Sequence, residues 1–158
     1  MKLSFAQSLA LFLLRVLIGW HFLYEGLVKL LDPNWTSAAY LKSSQWIFAD
    51  IFHSMADNSA ILTITDLLNE WGLIIIGLGL IIGIYTRLMS WAGMILILLY
   101  YVAMPPLPGL TYVVSMEGNY LVVNKNLIEA GALLVLAVFP SGLQYGADLI
   151  LKKRKEIF

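Results

Sequence analysis

The sequence predicts an all-α integral membrane protein: a four-helix bundle that crosses the bilayer four times, with an amphipathic interfacial helix between spans one and two. Two observations carry that prediction. Of 158 residues, 60% are hydrophobic and 13% charged, with a mean hydropathy of +0.82, whereas a soluble domain is about half apolar and a quarter charged. Apolar runs of spanning length also alternate with turns rich in proline, glycine and asparagine. The sequence shows no repeat, low-complexity stretch or linker, so a single transmembrane domain over 1–158 suffices, with spans near 6–31, 67–85, 88–104 and 125–140. Formal net charge is zero and of mixed sign, which argues against a nucleic-acid partner. The absence of cysteine removes disulfides, thiolate metal sites and thiol exchange by this chain, and leaves the redox state of its compartment unread.

Span one runs from about Ala6 to Leu31, long enough at about 1.5 Å per residue to cross a roughly 30 Å core with some tilt. Lys2 ahead of an apolar stretch has the outline of a cleaved leader, but Arg15 interrupts it and no small-x-small site follows, so the segment is expected to stay. Asp32-Pro33-Asn34 ends the helix, because proline disfavours helical backbone at the residue before it. Within this span lie Arg15, His21, Glu25 and Lys29, each costly against lipid, so all are expected to face other helices. The last three are four residues apart and stack in one column.

From Tyr40 to Met55 apolar residues recur at three and four, with Thr36 or Ser37 able to cap the start. Trp46, Phe48 and Phe52 suit a helix half sunk in the headgroup region, either as an anchor or as a lid over a site. Span two, Leu67 to Tyr85, contains Gly79-x-x-x-Gly83, a pair that would let another backbone approach closely, in a neighbouring helix or a second copy. Thr86-Arg87 is so short a turn that spans two and three form an antiparallel hairpin, and the prolines from Pro105 end span three. Between Pro105 and Asn124, Glu117-Gly118-Asn119 reads as a turn, with flanking apolar runs that form a hairpin or dip into the interface. Asn124 and Asn126 suit the cap of span four, which Pro140-Ser141-Gly142 kinks or ends.

Lys2, Arg87 and Lys152 to Lys155 share one side of a four-span topology, while Asp32, Asp50, Asp57, Asp66 and Glu117 share the other with Lys42, which predicts cytoplasmic termini. That topology brings Glu25, Lys29, Glu70, Lys125, Asn126 and Glu129 within about 10 Å of the outer surface by helical rise. The expectation is an outward polar pocket under the amphipathic connection, with His21 and then Arg15 deeper. Each residue has a structural alternative. Arg15 suits anion binding or a register-fixing ion pair with a glutamate, and His21 proton transfer or helix packing. Glu25 and Glu70 suit catalysis, since two acids at one depth exceed what one lysine needs. Lys29, Lys125 and Glu129 suit substrate binding or structural pairing. Arg87 suits a membrane anchor and the tail cluster a topology signal or a lipid-headgroup contact.

Arg15, Gly19, Glu25-Gly26, Lys29-Leu30, Glu70-x-Gly72, the glycine-rich run and Thr86-Arg87 together resemble the DoxX family, over nearly the whole chain. Glu117-Gly118-Asn119-Tyr120 and Asn124-Lys125-Asn126 are similar to its DoxD-type branch, the membrane subunit of thiosulfate:quinone oxidoreductase. The resemblance implies a four-helix protein of a bacterial or archaeal inner membrane. It also implies electron transfer from a small sulfur anion to quinone, alongside a second small membrane subunit. On that reading Glu25, Glu70 and His21 are catalytic, and Arg15, Lys29, Lys125 and Glu129 bind substrate. The resemblance implies quinone as the acceptor; no haem, flavin, dinucleotide or metal motif is seen, so electrons are expected to pass directly between substrates or through a partner. The competing expectation is a non-catalytic scaffold that binds a lipid or small solute, or recruits an exported oxidoreductase through Trp46 to Phe52. A small transporter, working as a homo-oligomer, is a weaker third.

Overall fold

A computed structural model describes residues 3–112, 120–139 and 141–150, apart from the side chains of 143 and 144. The fold is all-α, with seven helices among the described residues: α1 (Phe5–Leu31), α2 (Ala38–Lys42), α3 (Ala49–Asp57), α4 (Ser59–Ile82), α5 (Thr86–Ala103), α6 (Lys125–Val138) and α7 (Gly142–Tyr145). Three of them, α1, α4 and α5, are long and apolar enough to cross a membrane. The turn expected at Glu117 to Asn119 and the basic tail lie outside the described residues.

Local chemistry sets the helix ends. Ser4 opens α1 with a reciprocal cap, its hydroxyl accepting from Gln7 N at 3.3 Å while Gln7 Oε1 accepts from Ser4 N at 2.8 Å. Asp32 closes it, directly before Pro33. Asn124 caps α6, its side-chain oxygen accepting from Leu127 N at 3.1 Å. At 14 residues, α6 spans about 21 Å, less than the other three large helices.

Two expectations are corrected. The amphipathic stretch is two helices, because Ser43 turns its hydroxyl back to Ala39 O at 2.8 Å, Ser44 N closes a tight turn on Leu41 O, and His53 Nε2 lies 3.0 Å from the freed Ser44 carbonyl. The second correction lengthens α4 at its start: it begins at Ser59, where Asn58 Oδ1 accepts from Ala60 N and Ile61 N. It also ends at Ile82 rather than Tyr85, with Gly83 in the left-handed region at φ 75°, so the hairpin turn falls on Gly83 to Tyr85 and the expected turn residues Thr86 and Arg87 open α5.

α1 packs on α4, α4 on α5, and α6 on both α5 and α1, around a core that includes Phe22, Leu80, Leu133 and Leu136. The crossing of α1 and α4 is close because it is built on glycine. A Cβ on Gly77 would stand 2.5 Å from Leu23 N and 2.7 Å from Gly19 O, and one on Gly19 or Gly26 would meet α4 backbone at 3.0 and 2.9 Å. The expected pair, Gly79 and Gly83, does something else: Gly79 takes the Met89 side chain and Gly83 turns the chain beside Arg15. Outward, Leu9, Leu13, Leu17, Trp20, Tyr24 and Leu31 form one exposed stripe on α1, and Ile61, Ile64, Leu68, Trp71, Ile75 and Ile82 another on α4. Apolar faces of that length are stable only against hydrocarbon.

Gly77→Leu is therefore expected to force α1 off α4 and destabilise the protein by about 1–3 kcal/mol or more. Gly72, whose Cβ would meet nothing within 4 Å, should accept alanine with a gain of up to about 1 kcal/mol from helix propensity. Thermal unfolding of the two variants in detergent compares them.

Candidate functional site

The column on α1 points at one end of the packed helices. His21 Nδ1 lies 2.8 Å from Glu129 Oε1 of α6, which joins α1 to the last large helix. One turn on, Glu25 Oε2 accepts from Lys29 Nζ at 2.6 Å, and the same ammonium stands 5.7 Å from the centre of the Trp35 ring. Glu25 and Lys29 form the α1 wall of a cavity of about 560 Å³, a size typical of small-molecule sites. The lining also includes Asn69 of α4, Tyr100 of α5, Met104 at the end of α5, and Asn124 to Asn126 at the start of α6.

The connection after α1 roofs this cavity and is tied down at two places. Asp66 of α4 accepts from Thr36 Oγ1 at 2.9 Å, Ser37 N at 2.9 Å and Ser37 Oγ at 2.5 Å. Of the two hydroxyls expected to cap α2, Ser37 makes no side-chain cap, while Thr36 Oγ1 also accepts from Ala38 N at 3.3 Å. Tyr40 then donates to Tyr100 O at 2.8 Å, Tyr100 donates to Asn69 Oδ1 at 2.5 Å, and the two rings meet edge to face at 5.9 Å. Burial pushes the Tyr40 phenol above its ordinary range, so it stays a donor at any physiological pH.

The residues singled out from sequence divide into three groups. Glu25, Lys29 and Lys125 line the cavity; His21 and Glu129 pair with each other outside its wall. Glu70 is outside the lining, and Asn69, about 100° around the helix, faces the cavity in its place. Arg15 is about 15 Å below Glu25 by helical rise, fully buried, and donates to Tyr145 O at 2.6 Å rather than to a glutamate. Asn69, Tyr40, Tyr100 and Asp66 were not singled out from sequence. Asn69 has a readable signal in the sequence, an amide inside an apolar span, next to the more conspicuous Glu70.

Chemically, the lining holds two ammonium groups against one carboxylate, with the N-terminus of α6 contributing its positive end. Aromatic and thioether side chains supply an apolar floor. Such a lining fits a small anion beside a planar apolar group. Among the described residues, no three His, Asp or Glu side chains converge as a metal site requires.

Tyr100→Phe should leave the buried Asn69 oxygen without its donor while keeping the Tyr40 bond to the Tyr100 main-chain carbonyl, lowering stability by about 1–3 kcal/mol. Chemical denaturation in detergent measures it, and Asn69→Ala added to Tyr100→Phe should cost less than the sum of the two single changes.

The DoxX family model matches residues 10–106, from α1 through the end of α5. It therefore covers Glu25, Lys29, Asn69 and Tyr100 and stops before Lys125 and Glu129. No curated protein and no solved structure matches the chain. With the match spanning more than half of its length, the chain belongs to the DoxX family of membrane proteins.

Proposed function

We propose that this protein is a DoxD-like membrane oxidoreductase subunit that takes electrons from a small external anion of the thiosulfate type and passes them to quinone. The observation that supports this most is the convergence of Lys29, Lys125 and Glu25 on one cavity from opposite ends of the sequence. The lysines and the α6 N-terminus bind the anion, and Tyr40, Tyr100 and Met104 provide an apolar bed for a quinone ring. Two such anions joining through a new sulfur–sulfur bond release two electrons, and quinone takes up two electrons and two protons to become quinol. Glu25, half exposed beside Lys29, is the group placed to pass protons, with His21 and Glu129 as a relay one turn deeper. Glu70 and Arg15, outside the cavity, are left with structural roles in this scheme.

In the same reading α6 is the fourth span of the bundle. Ile128, Val135 and Val138 give it an exposed apolar stripe like those of α1 and α4. Arg87 and the basic tail support cytoplasmic termini, with the cavity opening outside. The connection lies at the interface, with Ile47, Phe48 and Ile51 exposed there. Those three residues also support a second reading, a non-catalytic subunit that recruits an exported oxidoreductase. A stable partner in a native pull-down, lost with Ile47→Ser and Ile51→Ser, would favour it.

Thiosulfate-driven quinone reduction in proteoliposomes tests the first reading. Lys29→Met and Lys125→Met should each raise KM for the anion by about tenfold, as expected for a lost charge-assisted hydrogen bond. Glu25→Gln should lower kcat by about 10²-fold or more while leaving that KM nearly unchanged. Equal activity in all four proteins, or activity with the anion only on the cytoplasmic side, would sink the proposal.

A further inference from the structure

A second cavity, of about 580 Å³, lies at the opposite end of the helices. Its lining includes Thr86, Arg87 and Trp91 from the start of α5, Leu136 at the end of α6, and Ser141 and Asp148 beyond it. Thr86 and Ser141 are 3% and 2% exposed, and neither hydroxyl has a hydrogen-bond partner among the described residues. Buried polar groups are nearly always satisfied, so two orphan hydroxyls on one cavity point to a polar group brought by a ligand.

The surrounding charges indicate what that group is. Asp148 is already occupied: its carboxylate accepts from Tyr85 N at 2.7 Å and Thr86 N at 3.0 Å, which caps α5. These contacts hold Tyr85 in the left-handed region at φ 46°, a conformation a non-glycine residue keeps only when its surroundings impose it. What the cavity has left to offer is two hydroxyl donors and the Arg87 guanidinium. That set complements an oxyanion, and Arg87 matches a phosphate in geometry and charge.

The remaining wall fits an amphiphile. Leu88, Trp91 and Val138 line the cavity and continue onto surface read here as facing lipid. The site begins at the first residues of α5, at headgroup depth for a helix that enters the bilayer there, and Trp91 suits that zone. We propose that this cavity binds one phospholipid of the leaflet at that end. The phosphate diester accepts from Thr86 and Ser141 and pairs with Arg87, while the acyl chains run along Leu88, Trp91 and Val138.

The test uses the full-length protein, delipidated in detergent, with binding followed by native mass spectrometry and thermal unfolding. Phosphatidylglycerol and phosphatidylcholine, which share the phosphate, should both bind and raise Tm; diacylglycerol, which lacks it, and inorganic phosphate, which lacks the chains, should not. The pair Thr86→Val with Ser141→Ala should weaken phospholipid binding about tenfold, and Arg87→Gln by a similar factor. Without lipid the double variant should be at least as stable as the wild type, because it removes two unsatisfied hydroxyls, so a weaker lipid response cannot come from misfolding. Undiminished phospholipid binding by the double variant overturns the proposal, as does diacylglycerol binding as well as phospholipid. A full effect from inorganic phosphate alone overturns it in favour of a free-anion site.

Discussion

Hydrocarbon does not accept an unpaired charge, and α1 carries four ionisable side chains along its length. Most of the architecture answers that constraint. His21 is met by Glu129, which fixes α6 beside α1. Lys29 is met by Glu25 and by the ring of Trp35, which draws the chain after Pro33 back over the helix end. Arg15 donates to the Tyr145 carbonyl, so the segment after α6 has to return to the first helix, while its Nε and Nη1 have no hydrogen-bond partner among the described residues. His21 and Arg15 thus recruit two distant parts of the chain, and Lys29 holds the connection that directly follows the helix. The opposite face of the helix stays wholly apolar.

Close backbone contact makes these pairings reachable. Gly19, Gly26 and Gly77 let α1 and α4 approach until only hydrogen separates them, which turns the polar column of α1 away from lipid and toward α5 and α6. The glycines are spaced to serve one crossing. Gly83 serves a different end: the space its missing side chain leaves is filled by the Arg15 guanidinium. A methyl group there would displace the only buried arginine among the described residues from the turn it stabilises.

Where a structural feature rests on local chemistry, it was legible in the sequence. Asp32-Pro33 stops α1 and Asn124 caps α6 because each acts on backbone within a few residues. The start of α4 was misplaced for a physical reason. Thr63, Thr65 and Asp66 fall before the start expected for span two at Leu67, yet both threonine hydroxyls bond back to carbonyls four residues earlier, and Asp66 holds the roof. Polar side chains that satisfy themselves along the helix carry no outward mark of helicity. The pocket was anticipated from the depth of its lysines, and Lys29, Glu25 and Lys125 do line it. Its α4 wall was taken one residue off, at Glu70 rather than Asn69. Depth can be counted from sequence, whereas azimuth depends on which glycines make the crossing, and those were misassigned.

The two cavities have a common origin in the length of α6. With 14 residues it runs about 6 Å shorter than α5, its closest partner, and about 20 Å shorter than α1. A bundle in which one helix falls short leaves space at both of its ends, and both cavities are lined by α6 termini: Asn124 to Asn126 at one, Leu136 to Val138 at the other. The chain fills these spaces differently. At the first end the connection carrying Trp35, Ser37 and Tyr40, tied down to Asp66, closes over the gap and encloses Lys29 and Lys125 beside a single carboxylate, Glu25. At the second there is no roof among the described residues, only Asp148 pinned to the α5 terminus and an apolar wall open to the side. The short helix leaves one compartment suited to a solute from water and another suited to a molecule from the membrane. Lengthening α6 by a turn at either end would close the corresponding space without disturbing the α1–α4 crossing that orders the rest.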